Sequence, residues 1–166
     1  MPNKKVLMAT LVILSTFIAI IADVVGVVDI IGSDWFWQKA FHVKADSPRG
    51  TLFINKSDLP ETYKFFATGK WSYNRTAGLE HNAGGYSERP NALDNYKLPG
   101  APEGALIVRR SDGSYELIST ERQLLLQSQE KVDFTINDAT DGARNQDSYS
   151  DNSGTLKVEW TCETCQ

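Results

Sequence analysis

The chain has 166 residues, a formal net charge of −4 and a sequence pI of about 5.2. This acidic balance excludes the basic surface with which nucleic-acid-binding proteins neutralise phosphates. The length suffices for one domain and an appended segment. The two cysteines both lie close to the C-terminus, so they cannot build a disulfide framework through a core.

The first residues of the chain are predicted to form a membrane anchor. Lys4 and Lys5 precede an apolar run from 6 to 28 that is long enough to cross a bilayer as a helix, with Asp23 near its far end. A signal peptide has a shorter apolar core and small residues before its cleavage site. We therefore expect residues 1–32 to be an uncleaved, single-pass transmembrane helix. The basic residues predict a cytoplasmic N-terminus and a C-terminal domain that is periplasmic or extracellular.

Residues 33–42 are predicted to be an aromatic interfacial linker. Trp35, Phe36 and Trp37 are typical of the aromatic belt at the outer headgroup level of a membrane. They are equally suited to contact a partner membrane protein, in which case residues 6–37 would form the docking segment. The sequence leaves both alternatives open.

From residue 43 onward the sequence is that of an all-β protein. Alternating apolar residues between turn signals predict strands at 51–55, 61–71, 104–110, 115–118, 124–126, 132–136 and 155–160, with an extended loop over 74–102. Several short strands separated by turns favour an antiparallel β-sandwich over 43–160, followed by a tail at 161–166. The aromatic residues within strands are predicted to be core residues, since such residues usually pack; these are Tyr63, Phe65, Trp71, Phe134 and Trp160.

An acidic, oxygen-rich segment at 137–154 connects the last two predicted strands, which we expect to form a hairpin. A loop of this length without structure of its own is unusual in a compact domain. Asp138 at its start and the adjacent Asp151 and Asn152 at its end are expected to converge, and such oxygen donors are the ligands that Ca²⁺ prefers. The alternative is a solvated acidic turn, because Asn, Asp, Ser and Gly dominate turns. The spacing is not that of an EF-hand.

Motifs for catalysis are sparse, and we expect the protein not to be an enzyme. His42 and His81 lie far apart in sequence, and neither belongs to a nucleophile or metalloprotease motif. Cys162 and Cys165 are compatible with a disulfide, a thiol pair or half of a zinc site. An exported location favours the disulfide.

Four stretches, in order along the chain, resemble the PA-IL-like bacterial lectins, which are calcium-dependent, galactose-binding β-sandwiches. They are FATGKWSY at 66–73, LPGAPEGALI at 98–107, Asn137-Asp138, and SYSDNSG at 148–154. The similarity covers the whole outer domain. It implies a calcium ion bound by two backbone carbonyls and three side chains, which would be Tyr73 and Ser148 through their carbonyls and Asp138, Asp151 and Asn152 through their side chains.

Two departures from that family limit what the resemblance implies. The loop between Asp138 and Ser148 is several residues longer than in galactose-binding members. The family's sugar-contacting His-Pro-x-Gln segment aligns with Arg89-Pro90-Asn91-Ala92, which lacks both sugar-contacting side chains. We therefore do not expect galactose specificity, although an open calcium ion would still bind a diol. Tyr86, Arg89 and Tyr96 are the candidate residues at the rim of the ligand site.

These observations predict a membrane-anchored, externally exposed, lectin-like module that binds calcium and a carbohydrate ligand without turnover. The alternative is an accessory subunit of a larger integral membrane complex. In that case residues 6–37 would contact membrane partners, and the sandwich would serve as a cap. The retained anchor and the missing sugar-contacting pair favour this alternative.

Overall fold

The computed structural model describes residues 39–74, 78–140 and 149–165. The predicted anchor at 1–32 and the aromatic residues Trp35, Phe36 and Trp37 lie outside these residues. Within the described part of the chain, no helix is long and apolar enough to cross a membrane. The described residues instead form antiparallel β-strands, as the sequence pattern predicts.

The strands of the described residues are β1 (Ala40–Lys44), β2 (Thr51–Ile54), β3 (Glu61–Asn74), β4 (Leu79–His81), β5 (Leu106–Arg109), β6 (Tyr115–Leu117), β7 (Glu121–Leu126), β8 (Lys131–Ile136) and β9 (Ser153–Cys162). They form two sheets. The first has the order β1-β9-β3-β4, with β7 also paired to β3, and the second has the order β2-β8-β5-β6. Every pairing between these strands is antiparallel.

The long strand β3 shows why these sequences fold as half-buried strands. Its side chains alternate strictly over the first seven residues, with Tyr63 and Phe65 buried and Lys64 between them facing outward. An alternation of period two places one set of side chains against the opposite sheet. Phe65 packs there against Phe53 and Phe134 at ring-centroid distances of 5.1 and 4.9 Å. The predicted core aromatics are confirmed, Trp160 being partly buried against this cluster.

The expected hairpin between the last two strands is wrong. β8 lies in the second sheet between β2 and β5, whereas β9 lies in the first sheet between β1 and β3. Both strands carry the predicted alternation, but alternation fixes only which face is buried and does not select a partner. The acidic segment at 137–154 therefore connects the two sheets.

Some strand bounds differ from the sequence prediction. β1 begins at Ala40 and β9 ends at Cys162, so each crosses a domain boundary predicted at 42/43 or at 160/161. The region at 74–102 contains the short strand β4, which pairs with the end of β3. The predicted turn at 111–114 does connect β5 to β6, where the Arg110 amide donates to the Ser114 carbonyl at 2.8 Å.

Candidate functional site

The two ends of the acidic segment meet, as the sequence predicts. Asp138 follows β8, Asn152 precedes β9, and the Asn152 Nδ2 donates a hydrogen bond to Asp138 Oδ2 at 2.9 Å. The same nitrogen donates to the Ala45 carbonyl at 3.1 Å. The other carboxylate oxygen of Asp138 accepts from the Ala139 amide at 2.7 Å. Asp138 is 5% exposed and Asn152 4% exposed, so this contact is buried.

One oxygen in this contact has no partner. Asn152 Oδ1 is buried and makes no hydrogen bond with any described residue. A buried carbonyl oxygen without a donor costs about 1–3 kcal/mol, and native structures contain few of them. A ligand beside the Asn152 amide would satisfy this oxygen.

The charge of the contact is also poorly compensated. Burial raises the pKa of the Asp138 carboxyl, and the nearby negative charge of Asp151 raises it further. The hydrogen bonds from Asn152 and Ala139 and the charge of Lys97 act in the opposite direction without reversing the shift. Of the three predicted side-chain ligands, Asp138 and Asn152 are in contact, and Asp151 is near enough for its charge to act on Asp138. Their oxygens have the chemistry of a site for a hard cation.

Lys97 is a neighbour of this site that the sequence did not indicate. Its ammonium group donates to Thr135 Oγ1 at 3.2 Å and lies 4.5 Å from the centroid of the Tyr149 ring. Burial lowers the pKa of Lys97 to about 8, against the attraction of Asp138, which raises it. Lys97 thus supplies partial compensation for the Asp138 carboxylate. No local sequence pattern distinguishes it from a solvated loop lysine.

Asn137 holds the neighbouring loop in place. Its fully buried side chain accepts from the Leu98 amide at 2.9 Å and donates to the carbonyls of Leu98 and Pro102, each at 3.1 Å. Its backbone carbonyl accepts from the Gly104 amide at 2.8 Å. The segment after Leu98 is therefore fixed against the residue that precedes Asp138.

A second buried carboxylate, Glu103, lies at the same end of the domain. Arg89 forms an ion pair with it at 3.3 Å. Burial is the largest cause that raises the pKa of Tyr73, and a hydrogen bond with Glu103 is the next largest. For Tyr96, burial raises the pKa most, followed by the charge of Glu103, with a further contribution from Asp138. Tyr96 also forms a backbone bridge with Ala139, next to Asp138, so it is near both carboxylates. Tyr73, Arg89, Tyr96 and Glu103 are called the Glu103 cluster below.

Close packing around Gly104 connects this cluster to β3 and β4. Trp71 Nε1 donates to the Gly104 carbonyl at 2.9 Å. Gly104 has a φ of +71°, and a Cβ at this position would lie 2.3 Å from Cε1 of His81. His81 Nδ1 lies 3.2 Å from the Asn82 carbonyl, and its Nε2 has no partner among the described residues. Only glycine fits here, because the backbone and the imidazole approach too closely for a side chain.

The other predicted site residues have different surroundings. The Tyr86 hydroxyl donates to Glu88 at 2.7 Å, and its ring lies 6.4 Å from the ring of Tyr73. The Tyr73 side chain belongs to the Glu103 cluster rather than to the contact between Asp138 and Asn152. Ser148 lies outside the described residues. Sequence reasoning missed Glu103, which stands within the lectin-like stretch at 98–107 but has no local feature that predicts a buried carboxylate.

Cys162 and Cys165 form a disulfide. Glu61 lies close to both sulfur atoms, and its carboxylate accepts a hydrogen bond from the Thr164 hydroxyl. The Glu163 amide also donates to the Thr62 carbonyl at 2.8 Å. Because the sulfurs are bonded to each other, they are not available as zinc thiolates.

Comparisons with known proteins connect this fold to lectins. No protein-family model and no curated protein matches the chain. Among solved structures, the N-terminal domain of EclA, described as a PllA-like lectin, matches with a TM-score of 0.52 and 16% sequence identity. The match covers 75% of this chain and 95% of that chain. The described domain therefore has a lectin-like, antiparallel β-sandwich fold.

Proposed function

We propose that the domain is a calcium-binding, lectin-like module of the PA-IL type that recognises a carbohydrate without chemical turnover. Asp138, Asp151 and Asn152 would hold Ca²⁺ through their side chains, together with the backbone carbonyls of Tyr73 and Ser148. When bound, the ion would supply Lewis-acid coordination for a pair of sugar hydroxyls. The residues of the chain would orient that sugar.

The observation that carries this proposal is the unpartnered, buried Oδ1 of Asn152. It belongs to the same side chain that already contacts the Asp138 carboxylate. Asp138 and Asp151 supply two negative charges for a divalent cation. Burial raises the pKa of Asp138, which means that the ionised carboxylate lacks full compensation. A bound cation would both coordinate the Asn152 oxygen and compensate the charge of the Asp138 carboxylate.

The rim of the proposed sugar site would come from Tyr86, Arg89 and Tyr96. The Arg89 side chain is 63% exposed although it pairs with Glu103, so part of its guanidinium group remains open to a ligand. The Glu103 cluster would hold Arg89 and Tyr96 in fixed orientations, which lowers the entropy lost on binding. The sugar itself is expected to differ from galactose, because the His-Pro-x-Gln pair is replaced.

We further propose that residues 1–32 anchor the domain in a membrane, with the N-terminus in the cytoplasm and the domain in the periplasm or outside the cell. The disulfide between Cys162 and Cys165 supports an oxidising location. Accessibility to an impermeant protease in intact and opened cells tests this orientation. In cells without an intact outer membrane, digestion of the domain only after the cytoplasmic membrane is broken would contradict this orientation.

Calcium titration of the full chain by calorimetry is the direct test of the metal site. We expect saturable binding to the wild type and at least a tenfold loss of affinity in Asp138→Asn and in Asp151→Asn. Glu159→Gln is the matched control, since it removes an exposed carboxylate on β9 that pairs only with Lys157 among the described residues. Equal calcium affinity in wild type and both aspartate variants would overturn the assignment. A glycan array with and without chelator then tests the sugar.

The accessory-subunit alternative is favoured by the segment Arg89-Pro90-Asn91-Ala92, which lacks both side chains with which the PA-IL-like lectins contact sugar. In this alternative, residues 6–37 dock against integral membrane proteins and the lectin-like domain acts as a cap. Purification of the chain from membranes in mild detergent distinguishes the two functions. A stoichiometric membrane partner that is lost when Trp35, Phe36 and Trp37 are changed to Ala would favour the accessory role.

A further inference from the structure

A polar cavity of about 410 Å³ opens on the outer face of the second sheet. Its lining includes Arg49, Lys97, Arg109, Tyr115, Asp133 and Thr135. Small-molecule sites in proteins typically have volumes of about 300–1,000 Å³. The cavity is therefore large enough for more than a simple ion.

The sheet supplies the floor of the cavity. Arg109 on β5 is paired in register with Asp133 on β8 and with Tyr115 on β6. Phe134 is fully buried between the sheets, so its neighbours Asp133 and Thr135 face the opposite, outer side. The strand register fixes the points at which these three side chains leave the sheet.

Two loops supply cationic side chains at the sides of the cavity. Lys97 directly precedes Leu98, which is hydrogen-bonded to the Asn137 side chain. The Lys97 ammonium group donates to Thr135 Oγ1 at 3.2 Å. Arg49 precedes Gly50, which has a φ of +72° and would place a Cβ 2.3 Å from the carbonyl oxygen of Phe134. This close approach fixes the turn that carries Arg49 directly against β8.

The cavity is strongly positive within a chain of net charge −4. Three cations face one carboxylate, Asp133. Among the described residues, neither Arg49, Lys97 nor Arg109 forms an ion pair. The positive charge of Arg109 also helps to lower the pKa of Lys97, after burial, which is the larger cause. Two guanidinium groups without an ion pair, beside an ammonium group whose charge is only partly compensated by Asp138, favour an anionic ligand in this cavity.

We propose that this cavity binds an oxyanion group, such as a carboxylate or a sulfate, carried by a small polar molecule. Arg109 and Arg49 are its charged contacts, because the planar guanidinium group matches a carboxylate or sulfate with two parallel hydrogen bonds. Thr135 Oγ1 accepts a hydrogen bond from Lys97, so its own proton is free to be donated to the ligand. The proposal is independent of calcium, since it uses none of the three calcium-site side chains.

Calorimetric titration of the full chain with glucose 6-sulfate, glucuronate, inorganic sulfate and neutral glucose, all in chelator, tests the site. We expect the sulfated sugar or glucuronate to bind, glucose not to bind, and affinity to fall at least tenfold in Arg109→Gln. Arg49→Gln, on an exposed turn, is a second variant that should weaken binding while the fold is kept. Arg122→Gln, which removes an exposed arginine of β7, should leave the affinity unchanged.

The outcomes separate the sources of the anion and the two sites. Equal affinity for inorganic sulfate and for the sugar sulfate supports a site for the free anion, whereas tighter sugar binding supports an acidic saccharide. Binding that persists in Asp138→Asn shows that the cavity acts without the calcium site. The proposal is overturned if none of the three anions binds, or if Arg109→Gln and Arg49→Gln bind as tightly as Arg122→Gln.

Discussion

Two buried asparagines, at opposite ends of the sandwich, show how this domain separates scaffold from candidate site. Asn55 donates to the carbonyls of Leu59, Leu126 and Gln127 at 3.0, 3.2 and 2.8 Å. Its Oδ1 accepts from the Ser57 amide and the Tyr63 hydroxyl at 3.0 and 2.9 Å. All of its polar atoms are therefore satisfied within the protein.

Asn152 is equally buried but incompletely bonded. Its nitrogen binds Ala45 and Asp138, while its oxygen has no partner. The other unpartnered buried side-chain atoms of the described residues, His81 Nε2 and the Tyr149 hydroxyl, also lie at this end of the sandwich. A satisfied polar group stabilises a fold, whereas an unsatisfied one is a cost that a ligand can offset. The comparison separates an end whose buried asparagine is fully hydrogen-bonded from an end with unpartnered buried atoms, where we place the proposed ligand site.

The largest expected effect tests this contrast directly. Asn55→Ala removes the hydrogen bonds to three carbonyls, one amide and one hydroxyl, of which the Gln127 carbonyl keeps a bond from the Glu130 amide, and should lower the free energy of unfolding by about 3–5 kcal/mol. Asn152→Ala removes two hydrogen bonds but also the unpartnered oxygen, so in chelator it should cost only about 1 kcal/mol. Urea unfolding followed by tryptophan fluorescence measures both. Equal losses in the two variants would remove the distinction between the ends.

Calcium should stabilise the protein only through the end of the sandwich that holds Asn152 and Asp138. A ligand present at 100 times its Kd stabilises the folded state by about 2.7 kcal/mol if it does not bind the unfolded chain. We expect calcium to raise the melting temperature of the wild type and of Glu159→Gln, and to leave that of Asp138→Asn unchanged. A calcium-induced shift of the same size in Asp138→Asn would place the ion elsewhere.

Reduction of the disulfide should have a smaller effect, confined to the Asn55 end. Cys162 and Cys165 are only three positions apart, and closing so short a loop stabilises a protein by at most about 2 kcal/mol. The melting temperature should fall slightly on reduction, while calcium affinity stays the same. A reduced protein that had lost calcium binding would show that the two ends are coupled.

The smallest expected effect is a dependence on pH that comes from Asp138. Burial raises its folded pKa above the ordinary value of 3.8, so the folded state binds the proton more tightly than the unfolded state does. In chelator, the stability that Asp138 contributes is therefore complete below about pH 3.8 and is lost as the pH rises through the folded pKa.

The difference in urea midpoint between wild type and Asp138→Asn isolates this titration, because the other ionisable groups are shared. As the pH rises from the acid range, we expect the urea midpoint of the wild type to fall relative to that of Asp138→Asn. Calcium should reverse this trend, since the ion requires the ionised carboxylate. A difference that is flat across the acid range would show that Asp138 has an ordinary pKa.

Much of the fold follows from local sequence patterns. The alternation Val132-Asp133-Phe134-Thr135-Ile136 identified β8, and the turn at 111–114 identified the connection of β5 to β6. β1 was missed because Ala40–Lys44 is short and has only two large apolar residues. The partner of β9 was missed because pairing depends on tertiary packing, which a single strand does not encode.

The candidate site was predictable where its residues belong to one segment of the chain and not where they converge from distant segments. Asp138 stands at one end of the acidic segment and Asp151 and Asn152 at the other, and the structure brings Asn152 into contact with Asp138. Glu103 becomes notable only through its contacts with Tyr73, Arg89 and Tyr96, which local patterning cannot reveal. The calcium ion itself and the role of Ser148 stay predictions.

The connection from β8 to β9 has a consequence for how such a domain is varied by evolution or by engineering. In a hairpin, the length of the loop fixes the register of the two strands that it joins. Here β8 takes its register from β2 and β5, and β9 takes its register from β1 and β3. Ala139 and Thr140 are still bonded to Tyr96 and Asn95. We expect residues added between Thr140 and Asn152 to leave every strand pair in place, since each doubling of a loop costs only about 0.6 kcal/mol in closure entropy. This junction is therefore a natural place to graft new binding loops onto an unchanged scaffold.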